Sequence, residues 1–193
     1  MSVHAFVDES RRGDTYLVVA ALVDPRDLKK LRKLLRSLLF PGQQELHFKK
    51  ETPTRRRIII AKLVSAGVHT RIYRSSCPGT DEQARQTCLA RLTDDLLDLG
   101  AHRLVLDSRD DRDRHDELTI RIALGKSARD TGLTYEHRVS TGEELLWVAD
   151  TVAWCVGAGG DWARRVEPVV TEIIDLGKSG PDSAKPGRRP SGR

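Results

Sequence analysis

Three aspartates stand where the chain could bring carboxylates together. Asp8 ends the apolar run "HAFVD", and Asp107 ends the similar run "RLVLD". Loops that leave neighbouring strands of an open α/β sheet meet at one edge, which is where ligands bind. Asp150 lies in the apolar segment "ELLWVADTVAWCVG", where a buried carboxylate is costly unless it is paired or binds a metal. The alternative for Asp150 is an acid on the polar side of a helix or in a core salt bridge.

The segment "ELHFKK" (45–50) follows a Pro-Gly break and offers a fourth carboxylate. In an extended segment, Glu45 and His47 face one way while Leu46 and Phe48 face the other. Glu45 and His47 therefore either join the same site or lie exposed together at an edge. We include both as candidate catalytic residues.

Four carboxylates in one place repel one another and raise one another's pKa. A divalent cation removes this conflict, and ligation by oxygen alone suits Mg²⁺ or Mn²⁺ rather than zinc. Two such ions, about 4 Å apart, assist the in-line attack of water on a phosphodiester. The acids therefore predict that Asp8, Glu45, Asp107 and Asp150 bind Mg²⁺ or Mn²⁺ and hydrolyse a phosphodiester.

The charged run "DSRDDRDRHDE" (107–117) could supply further groups. One interpretation makes Asp110 or Asp111 an accessory ligand and His115 a proton shuttle to the leaving oxygen, with His47 as the competing shuttle. The other is a solvated helix start with acids in its first turn.

A basic cluster near Glu45 could grip a phosphate backbone. It consists of Lys49, Lys50, Arg55, Arg56 and Arg57. These residues could equally solvate an amphipathic helix. Aromatic residues make up only 5% of the chain, which argues against a base-stacking platform.

The elements that must position these residues alternate between strands and helices. Residues 3–9 and "TYLVVAALV" (15–23), joined by the turn "RRGD", predict an antiparallel hairpin. Apolar periodicity predicts helices at 24–38, 54–65, 81–99, 109–128 and 144–158, and strands at 68–75, 102–108 and 133–140. Residues 166–176 fit either a strand or a helix. The predicted fold class is α/β: a mixed sheet with helices on both faces that opens with the hairpin.

The net charge of +5 comes mainly from the C-terminal segment. Residues 177–193 carry five basic side chains against Asp182, which leaves about +1 on the rest of the chain. We predict one domain over residues 1–176 and a basic, disordered tail over 177–193. The tail is either a solvated extension or a weak anchor on a phosphate backbone.

The remaining composition excludes several classes of protein. Cys77, Cys88 and Cys155 are odd in number and lack metal-type spacing, so neither a disulfide framework nor a zinc site is predicted. No apolar stretch approaches the length of a membrane span, and the N-terminus lacks a basic-then-apolar leader. We therefore expect a cytoplasmic protein with no membrane partner.

Four blocks of this sequence, in order, resemble the DUF 3800 family of bacterial and phage proteins. They are "FVDES", "ELHFKK", "VLDSRDD" and "LLWVADTVA", and the resemblance spans residues 3 to about 158. It implies an RNase H-like fold, with site acids at Asp8, Glu45, Asp107 and Asp150. Glu9 and Ser10 enter as accessory neighbours of Asp8. Many members have a glutamine where this chain has Trp147, so no polar side chain is expected there.

The residues and the resemblance together predict a nuclease or related phosphodiester hydrolase that acts on DNA or RNA. A rival from another class is a non-catalytic RNase H-like module that binds nucleic acid or a protein, in phage defence or mobile-element biology. A third hypothesis, an esterase using Ser10, is weaker because no G-x-S-x-G motif surrounds that serine.

Overall fold

The computed structural model of the chain describes residues 3–109, 112–125 and 131–178. Its strands are β1 (Val3–Arg12), β2 (Thr15–Val23), β3 (His69–Ser76), β4 (Ala101–Asp107), β5 (Thr134–Arg138) and β6 (Val170–Lys178). Its helices are α1 (Leu28–Arg36), α2 (Pro53–Ala66), α3 (Asp81–Asp98), α4 (Asp113–Leu124), α5 (Leu146–Ala158) and α6 (Gly160–Val166). Single 3₁₀ turns lie at Phe48–Lys50, Ser140–Gly142 and Glu167–Val169.

All six strands belong to one mixed sheet in the order β5-β4-β1-β2-β3-β6. Strand β2 pairs antiparallel with both β1 and β3. The turn between β1 and β2 contains Gly13, whose φ of 55° favours glycine. Strand β4 lies parallel to β1, β5 parallel to β4, and β6 parallel to β3. The predicted mixed sheet with an opening antiparallel hairpin is confirmed.

The sheet buries a separate apolar core on each face, as predicted. On one face α1, α2 and α5 pack against Phe6 and Val19. On the other, α3 and α4 pack against Val7 and Val18. The central strands are therefore apolar on both sides over their buried stretches, and in β1 a run of polar residues begins at Asp8 and extends to Arg12.

Helix α1 begins at Leu28, four residues after the predicted start at residue 24. The structure also departs from the sequence prediction in three other places. The segment 45–50 adds no strand to the sheet and ends in the 3₁₀ turn Phe48–Lys50. Helix α6 was not predicted, because its seven residues lie between Gly159 and Pro168 and are too few to show a period. The segment 166–176 resolves into a 3₁₀ turn and strand β6, which reaches Lys178, two residues past the predicted domain boundary.

Two other predictions fall partly or wholly outside this description. The alternative accessory ligands Asp110 and Asp111, and residues 179–193 of the predicted tail, lie outside the described residues. The three cysteines are described, and all are buried free thiols. Within the described ranges, no helix combines the length and apolar character that a membrane crossing requires.

Candidate metal and active site

Asp8 and Asp107 lie side by side because their strands are parallel neighbours. Val7 of β1 is level with Leu106 of β4, so the next residues, Asp8 and Asp107, stand beside each other where the pairing of these two strands ends. Both share the face of the sheet that α5 covers, because side chains alternate and Phe6 and Val105 belong to that core. One oxygen of Asp8 also accepts a hydrogen bond from the Glu9 amide at 2.7 Å.

Asp150 joins these two acids from helix α5, which packs across β1 and β2. Its Oδ2 accepts a hydrogen bond from the Phe48 amide at 3.0 Å and lies 3.9 Å from Nδ1 of His47. This bond ties α5 to the segment that carries Glu45. The apolar residues around Asp150 on α5 are core residues, whereas Asp150 itself is only partly buried.

Glu45 is oriented by two residues that the sequence analysis did not assign to the site. The hydroxyl of Ser140 donates a hydrogen bond to Glu45 Oε2. The indole N–H of Trp147 in turn donates to the Ser140 carbonyl at 2.8 Å. The expectation of no polar role at residue 147 is therefore wrong, because the tryptophan ring offers an N–H donor.

These four carboxylates line one cavity of about 290 Å³. His47, Ser140 and Trp147 contribute to its wall, and no lysine or arginine among the described residues does. The cavity thus collects the negative charge of Asp8, Glu45, Asp107 and Asp150 without a protein cation beside it.

The electrostatics of the cavity reflect this missing compensation. Burial raises the pKa of Asp8 well above its usual value, and the neighbouring carboxylates raise it further. Burial and the same neighbours raise the pKa of Asp107 to about 6. Burial also raises the pKa of Asp150, although the hydrogen bond from the Phe48 amide opposes the shift. A bound divalent cation would reverse these shifts by favouring the ionised forms.

A second acidic cluster lies on the other face of the sheet. Asp113, Asp116 and His137 each offer a ligand atom within 4.8 Å of the others, which is close enough for one metal ion. However, buried Arg85 forms two hydrogen bonds of 2.7 Å to Asp116, and His137 approaches the same carboxylate at 3.2 Å. Burial opposes ionisation of Asp116, but these hydrogen bonds outweigh it and lower its pKa. An internal cation already neutralises this cluster.

Glu9 belongs to the second cluster rather than to the first. Its side chain projects to the face opposite Asp8, where Arg85 Nη1 lies 2.5 Å and Arg109 Nε 3.4 Å from its carboxylate oxygens. Glu9 lines the cavity, but its charge is paired behind the sheet. Ser10 lies two residues beyond Asp8 on the same face, beside Gly157 of α5, and does not line the cavity.

The two candidate proton shuttles are separated by the sheet. His47 lies at the cavity, with 42% of its side chain exposed. His115 lies on α4 on the opposite face, where its Nδ1 is 3.9 Å from Glu82. The structure therefore does not bring His115 to the four carboxylates.

The predicted basic cluster divides into structural and exposed residues. Arg55 pairs with Glu51 and donates to the Leu38 carbonyl, and Arg56 donates to the carbonyls of Phe48 and Lys49. Lys49, Lys50 and Arg57 are exposed. Only these three retain the exposure that the predicted phosphate contact requires.

Sequence reasoning missed Ser140, Trp147 and Arg85 for different reasons. Ser140 lies in a 3₁₀ turn before α5, and its partner Glu45 is distant in sequence. A donor three residues before Asp150 could have been sought at Trp147. Arg85 gives no local signal, because its burial depends on the distant residues Glu9 and Asp116.

Comparison with solved structures places the fold. The chain is similar to one in the structure of the PCNA:RNase HII complex from Archaeoglobus fulgidus, with a TM-score of 0.55 and 17% sequence identity. The match covers 82% of this chain and 73% of that chain. No family model matches the sequence, and no curated protein matches it significantly. The likeness shows that the fold is RNase H-like.

Proposed function

We propose that this chain is a divalent-metal-dependent nuclease whose ligands are Asp8, Glu45, Asp107 and Asp150. The observation that carries the proposal is their convergence in one cavity that no lysine or arginine of the described residues lines. Carboxylates gathered without a protein cation need an external one. The RNase H-like fold of the Archaeoglobus fulgidus complex supports this class of activity, and the resemblance to the DUF 3800 family remains part of the proposal.

The donor set fits Mg²⁺ or Mn²⁺. All four ligands offer oxygen, and neither a thiol nor a second imidazole lines the cavity alongside His47 in the described part of the chain. When bound, one or two such ions supply an activated water and stabilise the leaving oxygen of a phosphodiester. The cluster of Asp113, Asp116 and His137 is the less suitable site, because Arg85 would have to be displaced from Asp116.

The chain's own residues hold and orient this site. The Phe48 amide fixes one oxygen of Asp150, and the Ser140 hydroxyl fixes one oxygen of Glu45. Half-exposed His47 lies where its imidazole can accept or donate a proton at the cavity entrance. The exposed Lys49 and Lys50 follow directly and would attract a polyanionic substrate. The proposed substrate class is therefore nucleic acid, either DNA or RNA.

A metal titration followed by thermal melting tests the ligand assignment. We expect saturating Mn²⁺ or Mg²⁺ to raise the Tm of the wild type by roughly 5 to 10 °C, because ions that bind only the folded state stabilise it. The double variant Asp107→Asn, Asp150→Asn should lose this shift. Asp113→Asn, a matched change in the second cluster, should retain it. Loss of the shift in Asp113→Asn alone would move the metal to the Arg85 side of the sheet.

A cleavage assay tests the activity itself. Labelled single-stranded and duplex DNA and RNA, and an RNA–DNA hybrid, are incubated with Mn²⁺ or with EDTA. The proposal expects cleavage of at least one substrate with Mn²⁺ and none in EDTA or with the double variant. Metal binding without cleavage of any substrate would instead favour a non-catalytic nucleic-acid-binding module.

A further inference from the structure

Beside the carboxylate cavity lies a group of aromatic and arginine side chains that the proposed chemistry does not use. We call it the aromatic–arginine ridge and define it as Arg12, Arg56, Arg57, Trp154 and Trp162. The two indole rings meet edge to face, with centroids 5.8 Å apart and planes inclined by 74°. The ridge therefore combines elements distant in sequence, namely β1, α2, α5 and α6.

Each guanidinium of the ridge lies against an indole ring. Arg56 lies 4.1 Å from the Trp154 centroid, and Arg12 lies 5.9 Å from the same centroid. Arg57 lies 5.8 Å from the Trp162 centroid. Such cation–π contacts favour particular placements of the charged groups. The ridge thus presents positive charge with restricted side-chain freedom.

The positive charge of the ridge has no paired carboxylate in the part of the chain that the structure describes. Within residues 3–109, 112–125 and 131–178, no carboxylate lies within 4.0 Å of the guanidinium of Arg12, Arg56 or Arg57. Neighbouring arginines differ, since Arg55 pairs with Glu51 and Arg165 with Asp161. Arg56 also braces the turn at 48–50 through two carbonyls. Exposed Arg12 and Arg57 are the side chains available to an anionic ligand.

The ridge is continuous with the cavity along two elements. On β1, Asp8 and Arg12 share one face and stand four residues apart, about 13 Å in an extended strand. On α5, Trp154 follows Asp150 by one helical turn. Arg12 can cross α5 because residue 157 is glycine: a Cβ there would lie 2.9 Å from Arg12 Cγ. The path from the carboxylates to Arg12 is therefore continuous.

We propose that the ridge binds the backbone phosphates of a polynucleotide strand that continues past the carboxylate cavity. This inference rests on the proposed function, and it specifies the substrate as a strand extending roughly 13 Å beyond the cleavage position. The guanidinium groups of Arg12 and Arg56 lie over the Trp154 ring. We therefore infer that the ridge contacts phosphates rather than stacking on bases. Binding at the ridge is accordingly independent of sequence.

The salt dependence of strand binding tests this proposal. The full chain carrying Asp107→Asn and Asp150→Asn is titrated against a labelled single strand of about 12 nucleotides in EDTA. This background removes two repelling charges and prevents cleavage. Adding Arg12→Gln or Arg57→Gln should each weaken binding several-fold and lower the slope of log K against log salt by about 0.7. Arg26→Gln is the matched control, since Arg26 is an exposed arginine paired with Asp24 at the far end of β2.

A second variant changes the ridge without removing charge. Gly157→Ala adds a methyl group under Arg12, so it should weaken binding in the same direction as Arg12→Gln. Melting curves of all variants check that the fold is intact. The exposed changes Arg12→Gln and Arg57→Gln should alter stability by only about 0.5 kcal/mol.

The outcomes separate this proposal from the nuclease proposal. Equal slopes in the background, Arg12→Gln and Arg57→Gln chains would overturn the ridge as a phosphate site, as would no measurable strand binding at all. Either result leaves the metal-dependent melting shift and the cleavage assay as independent tests of the nuclease. Conversely, the ridge proposal would stand and the nuclease proposal would fall under one combination of results. In it, Arg12→Gln and Arg57→Gln lower the slope of log K against log salt, but Mn²⁺ does not raise the Tm of the wild type.

Discussion

The two acidic clusters of this protein differ in what neutralises them. Asp116 keeps a lowered pKa because Arg85 and His137 hydrogen-bond to it despite its burial. Asp8 and Asp107 have raised pKa values because burial and neighbouring acids act on them, and the opposing effect of Arg85 on Asp107 is smaller than these. Composition alone does not distinguish the clusters. The arginine partner does, and under the proposed function the Asp8 side is the one that takes up an ion from solution.

The raised pKa of Asp107 makes the metal-free protein less stable at neutral pH. Its pKa is about 6 in the folded state and 3.8 for the unperturbed group. The unfolded chain releases this proton first, so the free energy of unfolding falls as the pH rises from about 4 to about 6. Asp107→Asn should remove this loss and be more stable than the wild type by up to about 3 kcal/mol at neutral pH in EDTA.

Urea denaturation at about pH 4 and about pH 7 measures this effect. Asp94→Asn, which changes an exposed acid on α3, serves as the control. With saturating Mn²⁺ the wild type should become the more stable protein, because the variant loses a ligand. Parallel pH profiles for the wild type and Asp107→Asn in EDTA would contradict the assigned cause.

Residue types at strand ends and in the last long helix identified part of the candidate site. Asp8 and Asp107 were found because an acid ends an apolar strand, and Asp150 because a carboxylate interrupts an apolar helix. Arg12 could not be found in this way, because its relation to Trp154 depends on the crossing of β1 and α5 at Gly157. Long-range contacts of this kind leave no local pattern.

At the scale of elements, the segment 45–48 is held at both ends. Ser140 hydrogen-bonds to Glu45 at one end, and Asp150 accepts from the Phe48 amide at the other. The 3₁₀ turn at Ser140–Gly142 is itself fixed by Trp147. A loop outside the sheet thereby obtains a defined position relative to two strands and a helix.

Removing the indole donor should loosen this segment. Trp147→Phe keeps an aromatic ring but leaves the Ser140 carbonyl without its 2.8 Å hydrogen bond. We expect a loss of about 1 to 2 kcal/mol in the free energy of unfolding. We also expect Mn²⁺ to bind at least about 10-fold more weakly, because Glu45 loses its support.

Calorimetric titration with Mn²⁺ and urea unfolding measure the two effects. Ser140→Ala should weaken Mn²⁺ binding similarly, whereas Ser37→Ala, which removes an exposed hydroxyl that bonds to Leu34, should not. Unchanged affinity in both Trp147→Phe and Ser140→Ala would show that Glu45 needs no such support.

Most elements followed from periodicity, whereas the segment around Glu45 did not. The hairpin and helices α2, α3 and α5 show the expected alternation or apolar stripes. The bounds of β2 and of these helices lie within two residues of prediction, whereas β1 runs three residues further, to Arg12. The 45–50 segment was predicted as extended because Glu45 and His47 alternate with apolar residues. Its position is set instead by tertiary hydrogen bonds.

At the scale of the whole molecule, a buried ion network joins the central sheet to the helices behind it. Arg85 of α3 is fully buried and contacts Glu9 of β1 and Asp116 of α4. Arg109 adds contacts to the same two acids. Three elements distant in sequence thus share one charge cluster.

Breaking this network should be costly. Arg85→Met leaves buried Asp116 without its main partner, and we expect a loss of about 3 to 5 kcal/mol in the free energy of unfolding. The double change Arg85→Met, Asp116→Leu should recover much of that loss, since it removes both buried charges. Arg74→Met, at an arginine 46% exposed and paired with Asp175, should cost less than about 1 kcal/mol. Urea unfolding of the four proteins decides; a mild effect of Arg85→Met would show that water reaches the cluster.

The sequence predicted a mixed sheet with helices on both faces, but not its strand order. Apolar strands that are buried on both sides give no signal about which neighbour each one pairs with. The placement of β6 beside β3 rests on contacts across about a hundred residues.

Strand β1 carries one further consequence. Ala5, Phe6 and Val7 are all fully buried. A shift of a strand by one residue normally exposes its apolar side chains, but here hydrophobicity alone would tolerate the shift, because both faces of the strand are buried. The adjacent acids oppose this shift, because the shift would turn Glu9 towards the cavity and Asp8 towards Arg85. The alignment of the central strand is therefore favoured by charge. A single-residue deletion between Val3 and Asp8 should leave Asp8 facing the cavity and Glu9 facing Arg85, while the apolar residues before the deletion change faces.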